Sequence, residues 1–446
     1  MRVSVRVATR KKWASTNARK KNRKWLILQR MSNRVNISKG KVGRSVLGSY
    51  EKISGLAGYF GAVGSGKTTL AEGEYALLAA ATDMAAYGIS EAANPLLYHH
   101  ISEYFRIGGK GAQLYVLNVR KVENAGFAEL VADKSVQRMI AGTDGKIFNL
   151  GFAYVPADAS AVVDGLPAEI VPAIRAAQKL ADWTQQTNRP VHIALECAGL
   201  GNVTAGTMLD LRDLQTDGVP TDCPQVSVMI GQDWDFAETL KGSQQKYADI
   251  GVLLGCMAVQ PVSYNIGEVA TMMLTDANRG NWVNAGFSSH EKVKEKESEL
   301  DGLNRKGYIF GEYYSGVVCL NDDHVCARIM EDKDGNMSES TIALSRTNCK
   351  VMRELYAAYL TKVKSTVPVD PKTGKMGTGT VKYFEDIGND VFSNMAARQE
   401  LSGGETEVDG DSNLMIGERV LKVFFRWVPM GCIGSIDGTV NIKTSI

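Results

Sequence analysis

No two of the seven cysteines form a Cys-x-x-Cys pair. Cys197, Cys223, Cys256, Cys319, Cys326, Cys349 and Cys432 are odd in number, and most sit in apolar runs such as Leu253-Leu254-Gly255-Cys256-Met257. That usage reads as buried free thiols in a reducing compartment, and it argues against a disulfide framework. The tightest spacing is Cys319 and Cys326 with His324 between them; it lacks a fourth ligand, so no metal site is expected. No apolar run approaches the length that spans a bilayer, so no membrane anchor is expected. The basic start is followed by neither an apolar core nor a small-residue cleavage site, which argues against a signal peptide. A Ser/His/Asp or Cys/His arrangement with a local signature is missing, as are internal repeats and long low-complexity segments.

Acidic residues are absent from positions 1–30, which hold eleven Lys or Arg. The net charge of +2 hides this: the other 40 basic residues face 49 acidic ones, a net of −9. A basic arm of this kind suits nucleic acid or anionic lipid, and it loosely resembles a mitochondrial presequence. Met31 opens a new pattern, Met-Ser-Asn-Arg-Val-Asn-Ile-Ser, so residues 1–30 read either as a disordered basic arm or as a mis-assigned start. No specific nucleic-acid partner is expected.

What is present is ordinary globular material: 446 residues, 44 % apolar and 22 % charged, enough for two or three domains with real cores. Helical spacing over 95–107 leads through a Gly-Gly-Lys-Gly turn into the apolar run 114–119. The alternation then repeats: helix 125–141, strand 146–154, helix 167–186, strand 190–196, a short helix near 208–214, strand 226–230 and helix 247–259. Apolar strands alternating with helices predict a doubly wound α/β domain with a parallel sheet. The helix 167–186 is expected to pack through Ile174 and Trp183. After about 265 the texture changes, to a charged helix over 290–300, a hairpin over 307–320, amphipathic helices over 346–363 and 380–401, a Gly-rich acidic linker over 402–411, and closing strands over 419–428 and 439–444. His99 and His100, adjacent on a helix, are expected to divide into one satisfied and one exposed.

One motif points to chemistry. Gly61-Ala62-Val63-Gly64-Ser65-Gly66-Lys67-Thr68 fits the Walker A pattern in full. In such a loop glycines turn backbone N–H groups toward a phosphate chain, Lys reaches the terminal phosphates and Thr offers its hydroxyl to magnesium. Its context is mixed. A short strand over 56–60 precedes it, and 69–84 could form the helix it needs, weakened by Gly73. Glu196 closes an apolar strand and is the nearest approach to a Walker B carboxylate, whereas Asp233 stands three residues beyond its strand.

Several blocks taken in order resemble the contractile tail sheath family, in the short-sheath branch of phage tails and phage-derived contractile injection systems. They include Ala81-Thr82-Asp83-Met84-Ala85-Ala86-Tyr87-Gly88-Ile89, Leu97-Tyr98-His99-His100-Ile101-Ser102-Glu103-Tyr104-Phe105 and Gly109-Lys110-Gly111-Ala112-Gln113-Leu114-Tyr115-Val116. Pro261-Val262-Ser263-Tyr264-Asn265-Ile266-Gly267, Thr366-Val367-Pro368-Val369-Asp370 and Val423-Phe424-Phe425-Arg426-Trp427-Val428-Pro429 continue the series. The resemblance covers roughly 31–446; the GSGKT loop and residues 1–30 fall outside it. It makes 62–69 a surface loop between two strands, with Tyr75-Ala76-Leu77-Leu78 entering the second.

The resemblance implies a structural subunit without enzyme activity or cofactor. It would polymerise helically around an inner tube and contract to drive that tube through a target envelope. Partners would be further copies of itself, the inner tube protein, and baseplate and tail terminator proteins. Assembly would take place in the cytoplasm, and the product would be a virion tail or an injection particle. The outer domain would be the doubly wound α/β unit, and an α+β tube-facing domain would be built from the N- and C-terminal segments. The expected divisions are 31–111 (arm and part of the inner domain), 112–345 (outer domain) and 346–446 (C-terminal inner domain). Val35, Asn36 and Ile37 near the start, and Val440, Asn441 and Ile442 near the end, alternate β-branched with polar residues. Segments this short are not stable sheets alone, so they are expected to be donated to neighbouring subunits. The rival reading is a P-loop ATPase of a packaging or assembly machine, with Gly61, Gly66, Lys67 and Thr68 on the phosphates and Glu196 as its carboxylate.

Overall fold

The computed structural model describes residues 50–156, 161–412, 414–416 and 419–443. The expectations for residues 1–30 and for Val35, Asn36 and Ile37 lie outside the described residues.

Six strands form the main sheet: β1 (Ile53–Gly58), β2 (Tyr75–Leu78), β3 (Gln113–Asn118), β4 (Asn149–Ala153), β5 (His192–Glu196) and β6 (Val226–Met229). Their order is β6-β5-β4-β1-β3-β2, parallel throughout except for β2, which runs antiparallel to β3 at one edge. Every residue of β1, β4, β5 and β6 is buried. This is what near-continuous apolar runs require when helices cover both faces.

The helices are α1 (Pro95–Gly108), α2 (Phe127–Ala132), α3 (Lys134–Gly142), α4 (Ile170–Gln186) and α5 (Ile250–Val259). Helices α1 and α5 lie together on one face, while α2 packs on α4 on the other. The approach of α5 to α1 is close because Gly251 has no side chain: a Cβ there would stand 2.2 Å from the His100 carbonyl oxygen. The doubly wound α/β reading is thus present in the main sheet. Its expected start at residue 112 is too late, since the central strand β1 and the edge strand β2 both precede it.

Beyond the sheet, β7 (Gly231–Asp233), β8 (Ala285–Phe287) and β9 (Glu291–Lys292) form a small antiparallel sheet. Helix α6 (Glu297–Arg305) follows, then the hairpin β10 (Gly311–Tyr314) and β11 (Val317–Leu320). Helices α7 (Ile342–Leu360) and α8 (Thr378–Ala397) and the hairpin β12 (Gly403–Val408) with β13 (Val423–Val428) complete the chain.

Helix α7 joins the main body to the C-terminal layer. Arg346, fully buried, gives its guanidinium to the carbonyls of Met257 (2.5 Å) and Gln260 (3.2 Å) and to Asn149 Oδ1 (3.1 Å). It therefore satisfies carbonyls that the end of α5 leaves open. Lys350, one turn on, lies between Glu51 and Glu400, all three buried. The far half of α7 contributes Val351 and Leu355 to a separate cluster with Val391, Phe392, Met395 and Leu401.

Six local expectations change. The helix expected over 125–141 breaks at Asp133, whose extended backbone (ψ 137°) ends α2 and whose carboxylate caps α3 through the Ser135 N–H (2.7 Å). Residues 208–214 are turns, and the charged helix begins at Glu297 instead of 290. Trp183 is only half-buried, while Ile174, Ala177 and Ala181 carry the contact. The Gly-rich segment expected as a linker is strand β12: a Cβ on Gly404 would stand 2.6 Å from the Phe392 ring, so the glycine is there for packing. The closing strand expected over 439–444 is not formed: residues 439–443 lie in no strand, and β13 pairs with β12 instead.

Candidate functional site

The Walker-like loop leaves β1 and ends in β2, so a strand stands where a phosphate-binding loop needs a helix N-terminus. Its groups are engaged with the short helical turn Ala81–Tyr87 and Gly88. The Thr68 N–H donates to Ala86 O (2.9 Å) and the Leu70 N–H to Tyr87 O (3.3 Å). The Gly61 carbonyl accepts from Asn118 Nδ2 (2.8 Å). A Cβ on Gly66 would stand 2.3 Å from the Gly88 nitrogen, and one on Gly88 would stand 1.9 Å from Gly64 O. Two of the motif's three glycines therefore let two backbone segments cross. The Lys67 and Thr68 side chains are exposed. Glu196 lies at the end of β5, 1 % exposed, with its two oxygens taken by the backbone N–H groups of Tyr154 (2.8 Å) and Ala248 (3.0 Å). The loop and this carboxylate each have a local packing role.

The carboxyl ends of β1, β4 and β5 carry a second constellation, which grew out of residues the sequence left as a helix face. Asp249 caps α5 through the Val252 N–H (3.1 Å) and pairs with His99 Nε2 (2.8 Å). His99 stacks on Phe236 with ring centroids 3.7 Å apart. Both histidines are buried, contrary to the expected division into one buried and one exposed, because α5 covers the face on which they meet. Burial alone would push the Asp249 carboxyl up; the charges of His99 and His100 outweigh it and hold it below the usual carboxylate range. Burial likewise opposes a charged His99, but Asp249 prevails and raises its pKa. Glu196 is raised by burial, and Asp233, raised mainly by burial to about 6, accepts from the Trp282 N–H (2.8 Å). His100 lies 3.6 Å from Asp249 Oδ1 and 3.9 Å from Glu196 Oε2, and neither of its ring nitrogens makes a hydrogen bond.

His324 is also engaged: its Nδ1 accepts from Arg212 (2.6 Å) and its Nε2 faces Asn304 Oδ1 (2.8 Å). Among the described residues no group of three or more His, Cys, Asp or Glu could hold a metal ion. No helix among the described residues is long and apolar enough to cross a membrane.

The third constellation is at the C-terminal end. Hairpin β12–β13 packs on α8 through Phe392 and Thr406. It exposes Phe424 (53 %) and Val428 (60 %). Over the described residues 429–443 the chain belongs to no helix or strand, yet it carries β-branched residues at Ile433, Ile436, Val440 and Ile442. Val440 and Ile442 are 94 % and 102 % exposed. Asn441, between them, is exposed too. Alternating polar and β-branched residues are sheet-forming, and here no partner strand within the described chain covers them.

A family model described as the N-terminal domain of DUF2586 matches residues 46–319. No curated protein matches in sequence. Among solved structures, a chain in the cryo-EM structure of the anti-feeding prophage baseplate aligns at a TM-score of 0.53 and 13 % identity, covering 92 % of this chain and 99 % of its own. The sheath tail protein from Desulfitobacterium hafniense aligns at a TM-score of 0.48 and 9 % identity, covering 90 % of this chain and 100 % of its own. At these identities the first alignment is a likeness of fold, shared with a chain of the anti-feeding prophage baseplate.

Proposed function

We propose that this chain, which belongs to the DUF2586 family, is a sheath-like structural subunit of a contractile tail or injection particle. It would polymerise around an inner tube and carry no catalytic role. The observation that carries the reading is the exposed end segment: an apolar, β-branched arm held outside any sheet in the single chain. Burying two such side chains at a neighbour is worth roughly 3–6 kcal/mol before ordering costs. The edge of β13 away from β12, which pairs with no strand among the described residues, supplies the acceptor chemistry, whereas the outer N–H groups of β12 at Thr406 and Val408 are already taken by Asn389 and Glu385 of α8. The sharing of fold with a baseplate chain of the anti-feeding prophage supports the same setting. In this reading the main sheet faces outward, the layer of α7, α8 and β12–β13 faces the tube, and Val440, Asn441 and Ile442 are donated to the next subunit. Val35, Asn36 and Ile37 would act alike at the other end. The tube, baseplate and tail terminator would be the other partners, met in the cytoplasm during assembly.

The ATPase reading has less support. The Thr68 N–H that would face phosphate is committed to Ala86, and the loop ends in a strand. Electron microscopy of the full chain and of a version lacking residues 439–446 tests the proposal. Tubes or rings from the full chain, and folded single subunits from the truncated one, are expected. Normal assemblies from the truncated chain would refute donation at this end, and soluble monomers from the full chain at high concentration would refute the sheath role.

A further inference from the structure

Helix α7 meets the main body through a row of long cations. Arg346, Lys350 and Arg353 recur at i, i+4 and i+7, so they share one face of the helix. Arg346 holds the carbonyls at the end of α5. Arg353 donates to the carbonyls of Gly145 (2.5 Å), Ile147 (2.8 Å) and Pro190 (2.7 Å). Lys350 reaches both sides: Glu51 stands before β1 in the body, and Glu400 follows α8 in the C-terminal layer.

We propose that the C-terminal layer opens from the body as a unit, parting at the Lys350–Glu400 joint while the first half of α7 stays behind. The dividing line falls inside one helix, close to Arg353. The apolar clusters do not join across it. Val351, Leu355, Val391, Phe392, Met395 and Leu401 form one cluster of the layer, Met376, Phe384 and Val408 another, and neither shares a residue with the cluster of the main sheet. The links that cross are polar: Lys350 with Glu400, and Ser263 Oγ donating to Gln399 O (3.0 Å). Glu400 is also held from its own side by Arg398 Nε (3.0 Å), and Arg398 reaches Glu354 on the far half of α7 (2.5 Å), so these groups move together. Glu51 Oε2 is buried without a partner, and burial raises the Glu51 pKa against the pull of Lys350. Buried charges regain hydration when water enters, whereas a parted apolar interface regains nothing, so a charged joint opens at smaller cost. Such opening belongs to the single subunit and does not depend on assembly. In a particle the same joint would let the layer and the main sheet turn against each other, a use that rests on the sheath reading.

Hydrogen–deuterium exchange of the full chain in dilute solution, read by mass spectrometry of its peptides, tests this. The far end of α7 past Leu355, helix α8 and strand β12 should exchange together, at least about tenfold faster than β5, β6 and the first half of α7. Glu400→Gln removes the charge that Lys350 holds on the layer side. It should speed exchange in the layer about tenfold more, the usual weight of a charge-assisted hydrogen bond, with β5 and β6 unchanged. A general loss of stability would instead speed sheet and layer alike. Ser263→Ala cuts the second link and should also act on the layer alone, which decides the matter if Glu400→Gln does not fold. One common rate for both halves of α7, the layer and β5 would overturn the proposal, as would a folded Glu400→Gln chain in which β5 is sped as much as α8.

Discussion

If the Gly61–Thr68 motif exists for packing, the glycines at its crossing with Gly88 and its lysine should separate cleanly under mutation. Gly88→Ala is the sharpest case. Gly88 sits at φ +78°, where an L-residue is strained by roughly 1–2 kcal/mol. Its new Cβ would also stand 1.9 Å from Gly64 O and 2.5 Å from Gly64 C, both backbone atoms that a rotamer change cannot move. Overpacking of that kind adds about 1–3 kcal/mol, so the total is about 2–5 kcal/mol. Gly66→Ala lacks the positive φ but meets the Gly88 nitrogen at 2.3 Å and Ala86 O at 2.6 Å, so about 1–3 kcal/mol is expected. Gly61→Ala is the control: φ is +63° and nothing lies within 4 Å of the added carbon, which leaves only about 1–2 kcal/mol of strain. Lys67→Ala removes an exposed side chain and should change stability by less than about 0.5 kcal/mol. Urea unfolding followed by circular dichroism reads the order. A Lys67→Ala variant as unstable as Gly88→Ala, or a neutral Gly66→Ala, would refute the packing account. Magnesium-dependent ATP binding abolished by Lys67→Ala would restore the nucleotide reading.

Three further outcomes are expected. His192 lies between Ser345 Oγ and Ser227 Oγ, each at 3.0 Å, and burial followed by the charge of Arg346 lowers its pKa to about 3. Because Ser227 donates its own proton to His324 O, His192 Nε2 must donate to Ser227, which fixes the neutral tautomer. A depressed folded pKa means stability present above about 6.5 and lost as pH falls toward 3, by on the order of 5 kcal/mol; a histidine NMR titration with a midpoint near 6 would contradict it. Arg346→Met should cost about 3–5 kcal/mol, since it strands the carbonyls of Met257 and Gln260 in the interior; a denaturation midpoint equal to that of the unaltered chain would show that α5 does not depend on this cap. Val440→Asp with Ile442→Asp should leave the melting temperature of the single subunit unchanged, because both side chains are exposed, while preventing assembly in the microscope; normal assemblies would count against strand donation.

Much of the sheet was legible because its signal is local. Runs such as Leu114-Tyr115-Val116-Leu117 and Ile193-Ala194-Leu195 are apolar on both alternating faces, which only a strand covered twice can use; helices α1 and α4 follow from their own spacing, and α5 from a continuous apolar run. The sheet-like alternation of Val440 and Ile442 was also readable from the sequence, although no strand forms there within the chain. What the linear order could not carry was contact between distant segments. The meaning of Gly66 depends on Gly88, that of Gly404 on Phe392, and that of Arg346 on carbonyls some 85 residues away. A glycine that turns its N–H groups toward phosphate and one that lets two backbones cross look alike in sequence, because both are defined by a missing side chain. The neighbour that fills the missing volume exists only in the folded chain. For the same reason His99 and His100 looked like opposite faces of a helix. Tertiary packing alone, through Gly251 of α5 against the His100 carbonyl, buries both.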